Sequence, residues 1–99
     1  MVRFSTGSIV PPLGLAYIAG ALLHEGHIVQ VVDAVGEGPD INTRYFRGYC
    51  VGLRLPNIVE RIAVNVDAIG ISVMFTHEWP LVVRLTRLIR KKFPKVPII

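Results

Sequence analysis

The sequence predicts an α/β domain in which a parallel sheet is covered on both faces by helices. Three observations carry that expectation. Helical and strand-like patterns alternate along the chain in the order helix, strand, helix, strand, helix, strand, which yields parallel strands joined by helical crossovers. The strand-like segments are dominated by β-branched residues and are short, as buried strands are. The length of 99 residues allows one domain with one core, hiding roughly two-thirds of the unfolded surface. Disorder is excluded, because the composition is 52% hydrophobic and 18% charged with a mean hydropathy of +0.51. Such a chain is more apolar than an ordinary domain of its size, so part of its surface is expected to be covered.

The first helix is predicted from Pro12 to Glu25. Proline is tolerated in a first turn, Leu13 and Tyr17 follow at helical spacing, and Gly26 supplies the stop. Gly14, Ala16, Ala19, Gly20 and Ala21 give this helix a small-residue face that predicts close packing on a sheet. Ile28 to Val32 reads as a mostly buried strand closing on Asp33. Residues 34–54 contain Gly36, Gly38, Pro39, Asp40, Asn42, Gly48 and Gly52, which predicts a long excursion with little regular structure. Pro56 opens a second helix through about Val64. In the strand Ala68 to Val73, Ile69, Ile71 and Val73 share one face while Ala68, Gly70 and Ser72 leave the other nearly bare. That bare face permits close approach of a helix or a ligand. A third helix runs from Glu78 or Pro80 to Phe93, with Val82, Leu85, Ile89 and Phe93 on its apolar stripe, and Val96 to Ile99 starts a third strand. A doubly wound sheet begins with a central strand, a place that Met1 to Phe4 is too short to fill. The last strand stops at Ile99. The expected domain is therefore incomplete at both ends.

The net charge of +4 invites a nucleic-acid reading that the charge positions do not favour. Six of the eleven basic residues, Arg84, Arg87, Arg90, Lys91, Lys92 and Lys95, cluster near the C-terminus. They lie on or just after the third helix, with Arg84, Arg87 and Lys91 roughly opposite its apolar stripe. A solvated basic face is the simplest reading; docking to an acidic partner and binding nucleic acid are the alternatives, the latter lacking interleaved aromatic residues. The uncharged run Ile9 to Leu23 is shorter than the ~20 residues that span a bilayer, and Pro11 and Pro12 interrupt it where a signal helix should continue. A cytoplasmic location is the expectation. Cys50 is the single cysteine, which excludes an internal disulfide and an iron–sulfur cluster or four-thiolate zinc site held by this chain alone.

In open parallel sheets, ligands bind beyond the carboxyl ends of the strands. Here those positions are Asp33 and Ala34, Ser72 to Thr76, and the loop Ser5 to Leu13. No cysteine–histidine pair, histidine triad or paired carboxylates converge there, so no catalytic residue and no metal ligand is assigned. Asp33 resembles a ribose-binding acid, but no G-x-G-x-x-G precedes it. A receiver-domain aspartate is missing where Ser72 and Val73 stand. His24 and His27 read as cap or surface residues, and His77 and Glu78 as capping residues beside the ligand edge. Phe75 and Trp79 read as core aromatics, with contact to a planar cofactor as the alternative; Cys50 reads as an incidental thiol in a glycine-rich loop.

Three stretches together carry a resemblance. They are Pro11-Pro12-Leu13-Gly14-Leu15-Ala16-Tyr17, then Gly26-His27-Ile28-Val29-Gln30-Val31-Val32-Asp33, then Asp67-Ala68-Ile69-Gly70-Ile71-Ser72 followed by Phe75 and His77-Glu78-Trp79-Pro80. The combination resembles the N-terminal cobalamin (B12)-binding domain of B12-dependent radical SAM proteins, over nearly the whole chain. The resemblance implies a Rossmann-like (flavodoxin-like) parallel sheet that binds cobalamin at its strand ends. By position, Pro12, Leu13, Gly14, Asp33, Gly70, Ser72, Met74, Phe75 and Thr76 would contact the cofactor. Ser72 would hydrogen-bond its nucleotide tail, Gly70 would leave room for that tail, and residues Ser5 to Leu13 and Met74 to His77 would border the corrin.

The resemblance also implies a partner, a radical SAM barrel elsewhere in the parent chain that carries S-adenosylmethionine and a 4Fe–4S cluster. Methyl transfer or a related radical reaction would be the parent's chemistry. The D-x-H-x-x-G signature of histidine-on cobalamin proteins, the glycine pair after the last strand and a three-cysteine cluster motif are all missing from this sequence. This chain is therefore expected to be non-catalytic by itself. The alternative is a Rossmann-like docking module that binds no cofactor. Open sheet edges predict a homodimer, a strand-swapped assembly or aggregation.

Overall fold

The computed structural model describes residues 2–3, 11–45 and 48–99. Its elements in chain order are β1 (Val2–Arg3), α1 (Leu13–His24), α2 (Ala34–Glu37), β2 (Asn42–Tyr45), β3 (Gly48–Val51), α3 (Leu55–Arg61) and α4 (Trp79–Lys92), the last preceded by a 3-10 turn at Thr76–Glu78. The class is α/β, as the sequence predicts.

The main core lies between α3, α4 and the segments that follow them. Ile89 is 1% exposed, and Val59, Ile62, Ile69 and Phe93 are buried with it. Leu85, Leu88, Ile71, Val96 and Ile98 close the cluster from the sides. The helical spacing of Leu85, Ile89 and Phe93 places that stripe inward, as expected of an amphipathic helix. Two cations finish the packing by hydrogen-bonding backbone carbonyls at and beyond the helix ends. Lys92 Nζ donates to Val59 O at 3.2 Å near the end of α3. Arg90 Nη1 donates to the carbonyls of Phe93, Pro94 and Val96, fixing the turn that leads from α4 to the last segment.

The expected parallel pairing is present in one short stretch. Ile69 and Ile98 form a parallel bridge; Ile69 N bonds Pro97 O, Ile99 N bonds Ile69 O, and Ile71 N bonds Ile99 O, each at 2.9 Å. The parallel return of the chain through α4 thus holds for residues 69–99. It does not extend to a flavodoxin-like sheet among the described residues. The sheet there is three-stranded and antiparallel, in the order β1-β3-β2.

Residues 34–54 correct the expectation of an excursion with little regular structure. Asp33 caps α2 by accepting a hydrogen bond from Gly36 N at 3.0 Å, a favoured N-cap arrangement. The hairpin β2–β3 follows and packs Tyr45 against Leu81 of α4, with Cys50 and Leu55 beside them. Glycine is required where this unit turns back on itself. Gly52 has φ +121°, a Cβ there would stand 2.6 Å from Ala34 O, and the neighbouring Leu53 N bonds that same carbonyl at 2.8 Å. Gly52→Ala is expected to cost about 1–3 kcal/mol through backbone strain and the lost close approach. Its urea midpoint, compared with the parent's, checks this.

The strand expected at Ile28–Val32 is also corrected. These residues take no strand conformation, and Ile28 is fully exposed. β-Branched composition favours a pleated, half-buried surface, but only a neighbouring ladder satisfies an extended backbone. Here the segment is tethered by one side chain. Gln30 donates from Nε2 to Arg61 O at 2.6 Å and accepts from Ala63 N at 3.0 Å, imitating a strand partner at a single position. The predicted packing of α1 on a sheet is corrected for a related reason: none of its residues is buried, and among the described residues it makes no extensive contact with another element.

Candidate functional site

The site is built on the segment that follows the parallel bridge. Ile69 is buried and Ile71 and Val73 are half-buried, whereas Gly70 and Ser72 are exposed. This is the bulky-in, bare-out alternation expected from the sequence. A Cβ at Gly70 would meet nothing within 4 Å, so the bare face opens onto unoccupied surface. The Ser72 hydroxyl lies on that same face with donor and acceptor capacity.

The chain then turns through Met74, Phe75 and Thr76 under the control of Glu78. The carboxylate of Glu78 is buried, and its Oε2 accepts from Met74 N at 3.3 Å and Phe75 N at 3.4 Å. Its Oε1 has no hydrogen-bond partner among the described residues. The sequence reading of Glu78 as a capping residue is thus realised as a clamp on the preceding loop. Phe75 stacks on His77 with centroids 5.5 Å apart and planes 13° apart. Met74, Phe75 and Trp79 are 75%, 53% and 61% exposed, which corrects the core reading of Phe75 and Trp79. The clamp turns this stretch outward, so its aromatics rim the site.

The other expected contact residues are placed separately. Pro12 precedes α1 as its N-cap residue, and Leu13 and Gly14 open its first turn, exposed. Leu13, Ala16, Tyr17, Gly20 and Ala21 line an open hollow of about 440 Å³ along the small-residue face. Residues 5–10 of the expected corrin-bordering loop lie outside the described residues. Asp33 is half-buried with one oxygen given to Gly36 N. The segment 70–76 is therefore one continuous surface, whereas the start of α1 and Asp33 stand on separate elements.

His24 closes the last turn of α1 and His27 follows it, both exposed, in keeping with a capping or surface role near a helix C-terminus. Among the described residues no group of three or more histidines, cysteines and acids is placed to hold a metal ion. None of the described helices is long and apolar enough to cross a membrane. Cys50, expected in a loop, instead sits in β3, half-buried beside Tyr45 and Leu81. Burial pushes its thiol above the usual value, the direction that keeps it protonated and weakly nucleophilic.

A family model described as the B12 binding domain matches residues 1–99. The chain belongs to the B12 binding domain family. That family is Rossmann-like, and cobalamin is the cofactor the family implies. No curated protein and no solved structure matches the chain. Three features of this B12-binding domain fit such a group. An open face at Gly70 leaves room, the exposed Ser72 hydroxyl can pair with a polar tail, and Glu78 Oε1 is an acceptor with hydrogen-bonding capacity still unused. Exposed Met74 and Phe75 add apolar contact for a macrocycle.

Proposed function

We propose that this domain binds cobalamin along residues 70–76 and serves as the cofactor-holding module of a larger radical SAM enzyme. The family match over residues 1–99 carries the reading. Ser72 would hydrogen-bond the nucleotide tail, Gly70 would admit it, and Met74, Phe75 and Thr76 would lie against the corrin. Pro12, Leu13 and Gly14 would approach from the start of α1. Asp33 would contribute through whichever carboxylate oxygen its helix cap leaves available. Cobalamin supplies a cobalt centre able to carry a methyl group. This chain's residues would bind and orient it. Without a three-cysteine motif the chain generates no substrate radical.

In the parent protein, the barrel carrying S-adenosylmethionine and the 4Fe–4S cluster would face the corrin, with methyl transfer or a related radical reaction as the overall chemistry in a cytoplasmic setting. The barrel, or a second copy of this chain, would cover the apolar side of α1, where Leu13, Tyr17 and Leu23 are 65%, 72% and 57% exposed. The parent, expressed with hydroxocobalamin and reconstituted with iron and sulfide, is expected to purify with bound corrin and to cleave S-adenosylmethionine reductively. Bound corrin without cleavage would remove the radical SAM assignment. Absence of bound corrin would leave a docking module that keeps the fold and binds no cofactor.

A further inference from the structure

A second concave surface lies away from residues 70–76, between the β2–β3 hairpin, the start of α3 and one side of α4. It encloses about 510 Å³, within the range of small-molecule sites. Its floor is apolar, formed by Tyr45, Leu53, Leu55, Leu81 and Leu88. Its walls carry Arg44, Arg54, Arg84, Arg87 and Lys91, and among the described residues no acidic side chain lines it.

The chain's order explains how five cations converge. Arg84, Arg87 and Lys91 are three and four positions apart, so they form one stripe extending about 10 Å along α4. Arg44 reaches the groove from β2 and Arg54 from the residue before α3. The basic side of α4, read from the sequence as a solvated back, is thus one wall of a cleft. The Arg84 guanidinium carbon stands 5.9 Å from the centroid of the Tyr45 ring, a distance at which the ring face orients it. The ion pair among the described residues joins Arg61 to Glu37, on other elements, so none of the five is neutralised by a described carboxylate. Like charges gathered over an apolar floor repel one another. An anion entering the groove relieves that repulsion and gains charge-assisted hydrogen bonds.

We propose that this groove binds a small anionic amphiphile: a phosphate monoester or carboxylate carried on an apolar body that fills the leucine-lined floor. Nucleic acid fits less well, because Tyr45 is 5% exposed and offers no open ring for base stacking.

The probe is decyl phosphate, kept below its micelle concentration and titrated into the chain while backbone amide shifts are followed. Perturbations are expected at residues 43–56 and 81–91. Decanol and inorganic phosphate should each bind at least about tenfold more weakly, since each lacks one of the two required contacts. R84E/R87E should weaken decyl phosphate at least about tenfold with helical content unchanged. If that double variant fails to fold, R54A and K91A, on different walls, carry the same expectation of a several-fold loss. Undiminished binding by the folded variants, perturbations confined to α1, or tighter binding of a short single-stranded oligonucleotide than of decyl phosphate would overturn the assignment. Cobalamin binding at residues 70–76 is read separately by corrin absorbance, so failure of one site is distinguishable from failure of the other.

Discussion

Ser72→Trp and Gly70→Val are expected to lower cobalamin affinity at least about tenfold, or ~1.4 kcal/mol, while leaving the fold intact. The expectation rests on where the two residues stand. Gly70 faces open space, with nothing within 4 Å of an added Cβ, and Ser72 is exposed on the same face. Larger side chains there meet no protein atom at Gly70 and occupy only room that a ligand would need. Circular dichroism and the urea midpoint should match the parent's, with corrin absorbance after dialysis reporting the loss. A chain that retains full affinity with Trp at position 72 would show that the nucleotide tail does not run along this face.

Ile89→Ala is expected to lower the unfolding free energy by about 2–5 kcal/mol, the cost of deleting a buried branched side chain and leaving a cavity. Ile89, at 1% exposure, is the most buried core side chain among the described residues, and it joins α3, α4 and the parallel pairing at Ile69 in one cluster. A small domain holds only about 5–15 kcal/mol in total, so this one change removes a large share of its stability. Urea unfolding followed at 222 nm measures it. A loss below about 1 kcal/mol would mean that the cluster relaxes around the deletion and does not anchor the fold.

The elements most legible in the sequence are those whose own periodicity decides them. α4 is read from Leu85, Ile89 and Phe93, and the observed Trp79–Lys92 lies within a residue or two of the expected bounds. α1 was expected over Pro12 to Glu25 and forms over Leu13–His24. α3 ends at Arg61 rather than near Val64, where Ile62 turns to extended backbone and packs into the core. Helix ends are the least determined part of any such pattern.

What the sequence hides depends on pairing. Asn42-Thr43-Arg44-Tyr45 is mostly polar, and its inward signal is Tyr45 alone, so the hairpin leaves almost no alternation to read. Ile28–Val32 has the right residues for a strand but, among the described residues, no ladder partner for its backbone, and Gln30 supplies a substitute at one point. At the candidate site, the bare face of Gly70 and Ser72 was legible because strand alternation is local. The Glu78 clamp on Met74 and Phe75 was legible only as capping chemistry. The convergence of Arg44 and Arg54 with the α4 stripe was not legible, because it depends on the hairpin folding back across some forty residues of sequence separation.

Under the proposed function, this chain holds cobalamin along residues 70–76. Equilibrium dialysis of the chain against hydroxocobalamin, read by corrin absorbance, tests it most directly. Saturable retention approaching one corrin per chain is expected, lost in Ser72→Trp and retained in R84E/R87E. Absence of retained corrin on folded chain, or retention that Ser72→Trp leaves unchanged, would contradict it.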